Sequence, residues 1–254
     1  MKFFTGKKVF YILPLILLGL GELFVFYPNF FFISLALGSL LIVLTTKNLA
    51  TRNKKVTWPL FFYFPLIFFL ASSLYETLLP NFYIVQLLIL INAYFAFIYF
   101  KNLYYFFRYG APDRMDRLDT FLMAGSVLSV FFLASSIYGL PVFLGWSFWP
   151  LLALFSLAVF PLFFQPFILG NLNLKKNYLL FIVALLAFVQ LSGVTYLLPF
   201  SFNILGLLSA IYFYLLFLIV RLFIRDRLTW QLIKFPLFSS LIMIIILLLT
   251  SRWF

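Results

Sequence analysis

Apolar residues in this chain come in nine long runs, near residues 9–27, 30–46, 58–79, 82–100, 118–138, 146–169, 178–198, 204–224 and 232–250. Charged positions crowd into the short stretches between them. A spanning helix takes about 20 consecutive apolar residues, so the pattern predicts an all-α fold: a polytopic transmembrane helical bundle of about nine spans. Residues 1–254 read as a single integral membrane domain with no soluble domain. The longest expected loop runs from about Lys101 to Arg117.

The breaks between the runs have a pattern of their own. Four of them hold Pro beside aromatic residues: Tyr27-Pro28-Asn29-Phe30, Leu79-Pro80-Asn81-Phe82, Leu140-Pro141-Val142-Phe143 and Leu198-Pro199-Phe200. Each reads as a tight turn joining two helices on the same side of the membrane. Small residues precede each Pro, namely Gly21, Ser72 with Ser73, Ser135 with Ser136, and Ser192 with Gly193, and Tyr75, Tyr138 and Tyr196 follow in three of them. The four prolines stand 52, 61 and 58 residues apart. This spacing outlines four similarly oriented hairpins, over 9–46, 58–100, 118–169 and 178–224, with an extra helix at 232–250. Any internal repeat would then turn about an axis along the membrane normal. Short turns of this kind also need a Pro and an aromatic anchor without any duplication.

Composition sharpens the class. Two thirds of the residues are hydrophobic and 9% are charged, against roughly 25% charge in a soluble domain. The net charge of +12 would ordinarily point to a polyanionic partner, but its placement explains it. Of the 18 Lys and Arg residues, 17 fall on one side of the predicted layout, in the groups Lys2 to Lys8, Lys47 to Lys55, Lys101 to Arg117, Lys175 with Lys176, and Arg221 to Lys234, leaving Arg252 alone opposite. The positive-inside rule makes that side cytoplasmic. The expected orientation has the N-terminus cytoplasmic and the C-terminus extracytoplasmic, in a plasma (inner) membrane. The bilayer is the expected partner, with other membrane proteins as a further candidate; nucleic acid is not expected. Trp58, Trp146, Trp149, Trp230 and Trp253 all lie at predicted ends, where the indole ring favours the headgroup layer. The opening lysines and the run from Val9 have the outline of a signal peptide. No A-x-A-like site follows, so an uncleaved first helix is expected.

Few residues are left to carry chemistry. The chain has no Cys and no His, which removes disulfides, thiol catalysis and the usual zinc ligands, and no cofactor or metal is expected. Phosphate-cradling, dinucleotide and hydrolase motifs are absent. Six carboxylates remain. Asp113, Asp116 and Asp119 fall along one side of a helix at i, i+3, i+6 spacing and form a candidate cytoplasmic acidic cluster. Such a cluster can grip a diphosphate through a divalent cation, but that chemistry needs a second acidic motif opposite, and the later loops supply only Asp226. The plainer reading is a helix start, with Pro112 and acids in the first turn and Asp113 facing Arg117.

Glu22 and Glu76 are candidate intramembrane ionisable residues, six and four residues before their turn prolines. A carboxylate at membrane depth is costly and points to function, unless it lies shallow enough to reach water. Gln86, Asn92, Gln165 and Gln190 read first as groups that hydrogen-bond between helices. With 39 Phe, the chain offers little polar lining for a large charged solute. Transport or lipid handling in the membrane is therefore the leading functional expectation. A non-catalytic subunit or scaffold of a membrane complex comes next, then an embedded enzyme acting on a diphosphate-linked lipid. Catalysis is the less favoured class, since it would have to rest on the Asp cluster or the two Glu residues.

Overall fold

In a hydrocarbon solvent every backbone N–H and C=O must be satisfied within the chain, which leaves an apolar run the helix as its open course. The computed structural model describes residues 8–50, 59–109, 112–164 and 174–250. Among them are nine α-helices and no strand: α1 (Val9–Phe26), α2 (Phe31–Ala50), α3 (Pro59–Glu76), α4 (Phe82–Tyr109), α5 (Pro112–Leu144), α6 (Phe148–Phe163), α7 (Leu174–Tyr196), α8 (Phe202–Ile224) and α9 (Trp230–Thr250). Each matches one predicted run. Seven are long and apolar enough to cross a membrane, while the described parts of α3 and α6 are shorter apolar helices. The chain divides into two compact units, residues 1–126 and 127–254.

In the first unit α1 packs on α4 and α2, and α3 packs on α2 and α4. Small residues set the close approaches. A Cβ built on Gly21 of α1 would stand 2.9 Å from Ile89 of α4, and one on Gly38 of α2 would run into the Phe69 ring of α3. Aromatic rings fill the space between α3 and α4, with Phe68 and Phe95 stacked at 3.8 Å. Pro65 lies inside α3 and has no N–H to give the carbonyl four residues back. That carbonyl belongs to Phe61, and the buried hydroxyl of Tyr99 on α4 donates to it instead.

In the second unit α7 packs on α6 and α8, and α8 on α9. Tyr138 of α5 is its polar node: the hydroxyl donates to the Ser192 carbonyl at 2.9 Å and lies 2.8 Å from the Ser209 hydroxyl. Tyr196 stacks on Phe148 at 3.7 Å, and Tyr138 lies nearly parallel to both rings. Gly206 of α8 rests directly on Ser135 of α5. The paired serines ahead of the turns, Ser72 with Ser73 and Ser135 with Ser136, are all buried, as packing points between helices would be.

Two boundaries depart from the sequence reading. Pro141 does not make a turn; it lies inside α5, which runs on to Leu144. The chain turns instead at Gly145, which adopts φ +66° and donates its N–H to the Pro141 carbonyl at 3.0 Å. A glycine in the left-handed conformation ends a helix without the penalty a Cβ would bring. The expected loop after Lys101 is also largely helical. α4 continues to Tyr109 because Phe100, Leu103, Tyr104 and Phe107 extend its buried face at helical spacing.

Candidate functional site

The first two Pro-aromatic turns are built differently. After α1, Tyr27 donates its N–H to Leu23 and accepts one from Phe30, closing a short 3-10 turn over Pro28–Phe30 that leads into α2. After α3, Leu78 and Leu79 donate back to Tyr75 and Glu76, and the Thr77 hydroxyl donates to Leu74. Asn81 then caps α4: its side-chain oxygen accepts from the N–H of Tyr83 at 2.9 Å and of Ile84 at 3.4 Å. This is the side-chain service that an N-cap Asn gives the unpaired first-turn donors.

Both turns contribute to the wall of one cavity of about 500 Å³. Phe24 and Val25 come from the end of α1, Pro28 from its turn, and Phe31 and Phe32 from the start of α2. Glu76 and Thr77, with Leu79 and Pro80, come from the end of α3 and its turn, and Phe82 and Val85 from the start of α4. The lining is apolar and aromatic apart from Glu76 and Thr77. Its size is that of an ordinary ligand pocket, about 300–1,000 Å³.

Glu76 is the unusual member. It is 3% exposed, and its Oε1 is buried without a hydrogen-bond partner. It is also the last residue of α3, at the negative end of the helix dipole, where a carboxylate is disfavoured. Burial, a missing partner and the dipole all act against this residue type at this place.

Glu22 is arranged otherwise. It is half-buried on α1 and accepts a 3.0 Å hydrogen bond from Gln86 Nε2 on α4, 64 residues away. It is not among the described residues that line the cavity, so the two acids stand in one unit but not on one surface. Asn92 of α4 donates to the Ser72 hydroxyl of α3 at 2.8 Å, a second polar tie between helices. Gln190 is exposed on α7, and Gln165 lies outside the described residues.

The acidic cluster falls at the start of α5, which begins at Pro112. Asp119 is buried; the side chains of Asp113 and Asp116 lie outside the described residues. Among the described residues no three carboxylates come together as metal ligands. Sequence reasoning had singled out Glu76 but not its surroundings. The signal for those lies in the two turns, whose Pro28, Pro80 and Phe82 read along the sequence only as turn residues and anchors.

The chain matches no protein-family profile, no curated protein and no solved structure. Its class therefore rests on its own helices, which are those of an all-α, multi-pass integral membrane protein.

Proposed function

We propose that the chain is a transport or lipid-handling protein of the membrane, and that the cavity between its first two turns receives an apolar substrate. The observation that carries this reading is Glu76, a buried carboxylate with an unpartnered oxygen on the wall of an aromatic pocket. A costly, unpaired group at membrane depth is best explained by what it binds. The basic loops support an orientation in which these turns face the outside of a plasma (inner) membrane, with a cytoplasmic N-terminus.

Photolabelling tests the reading. The protein in neutral maltoside micelles is irradiated with a diazirine-bearing fatty alcohol, and the modified peptides are mapped. Labelling is expected to concentrate between residues 76 and 85 and to fall about tenfold in Thr77→Trp, which fills the cavity from an exposed wall position. Uniform labelling of all lipid-facing helices, unchanged by the Trp, rules the cavity out as a binding place.

A second reading, a docking subunit of a larger membrane assembly, is favoured by α9, whose described residues are buried only at Ser240. A helix with so little packing of its own is available to a neighbour. The reading as a diphosphate-lipid enzyme gains no such support from the described residues.

A further inference from the structure

The cavity beside Glu76 also bears on the charge of its occupant, an inference that rests on the lipid-handling reading above. Its polar side chains are a carboxylate and a threonine hydroxyl, and its remaining wall is rich in rings, with Phe24, Phe31, Phe32 and Phe82 contributed by three helices. Ring faces and a carboxylate together are complementary to an alkylammonium group. A bare metal cation is poorly served, because hard cations gather about six or more oxygen ligands. An anionic group is served worse still. No Lys or Arg occurs in residues 9–46 or 59–100, which hold the two turns and the parts of the four helices next to them. The nearest in sequence among the described residues are Lys8, Lys47 and Lys101, toward the far ends of these helices. A phosphate or sulfate brought to the cavity would meet Glu76 and no countercharge.

We propose that the cavity binds a cationic amphiphile, an ammonium or quaternary ammonium head joined to an alkyl chain, with the head between Glu76 and the phenylalanine rings. The chain of the ligand lies along the apolar wall and leaves toward the bilayer.

Competition for the diazirine fatty alcohol in maltoside micelles tests this directly, with dodecyltrimethylammonium, dodecanol, dodecyl sulfate and dodecylphosphocholine as competitors. The expected result is half-competition by dodecyltrimethylammonium at about one tenth of the dodecanol concentration, with dodecyl sulfate weakest. Glu76→Gln should bring the ammonium compound to the level of dodecanol and leave dodecanol unchanged. Phe82→Lys, which adds a fixed cation at an exposed wall position, should weaken the ammonium compound much more than dodecanol without altering the carboxylate. Dodecylphosphocholine separates two sources of the same head, a free amphiphile and a zwitterionic lipid. Competition as strong as that of dodecyltrimethylammonium would overturn the exclusion of phosphate. Equal competition by the ammonium, alcohol and sulfate compounds, unaffected by Glu76→Gln, overturns the cation preference while leaving a lipid cavity. Failure of every competitor to displace the label from residues 76–85 defeats the lipid-handling reading itself.

Discussion

Tyr99 and Glu76 mark two extremes among the described polar residues, one answering a carbonyl of a neighbouring helix and the other a carboxyl with a buried, unpartnered oxygen. Tyr99 completes a carbonyl that Pro65 leaves open, so Tyr99→Phe strands a buried acceptor. We expect a loss of about 1–3 kcal/mol, measured by reversible unfolding in mixed micelles. Glu76 should behave in the opposite sense. Glu76→Met removes a buried carboxylate and keeps an apolar side chain of similar length, so the unliganded protein should gain about 1–3 kcal/mol while losing photolabel competition by the ammonium compound. Stability gained with binding lost is the mark of a site held at a cost to the fold. The sequence placed Glu22 and Glu76 in matching positions but could not separate them. What distinguishes them is Gln86, which is distant along the chain and adjacent only once α1 lies on α4.

Among the elements, helices were legible from the apolar runs because a membrane leaves the backbone so little choice. Their ends were less legible. Pro141 looked like its three counterparts, yet Gly145 is the residue that stops α5, and a proline in a lipid-embedded helix need not break it. The contact of α8 with α5 was likewise hidden. It depends on Gly206, which nothing local marks as special, meeting Ser135. A Cβ there would come within 2.8 Å of the Ser135 backbone N, a rigid obstacle. Gly206→Ala is expected to cost about 1–3 kcal/mol through overpacking, seen as a lower unfolding midpoint in micelles. Gly19, where a Cβ meets nothing within 4 Å, should accept Ala almost silently and provides the control.

The whole molecule raises the question of orientation. The lack of native cysteine makes a direct measurement simple, since a single introduced thiol is the only one to label. With a membrane-impermeant maleimide on intact cells, Asn29→Cys and Asn81→Cys are expected to react. Lys54→Cys and Lys175→Cys should react only after the membrane is opened. The reverse pattern would turn the protein over and place the Glu76 cavity on the cytoplasmic side. At this scale the fold class followed from hydropathy, whereas the division into two units did not, because its boundary falls within the continuous apolar run of α5.

One consequence of α9 concerns the history of the sequence. Along its 21 residues only Ser240 is buried, so most side chains answer more to the surrounding solvent than to a shaped neighbour. Exchange of Leu for Ile, Met or Phe at its exposed positions keeps the helix apolar and disturbs little packing. Across descendants of this chain α9 should drift fastest in residue identity while holding its length and oiliness nearly constant. Ser240 should change more slowly than the positions on either side, as a fixed point in a helix otherwise selected mainly for its oiliness.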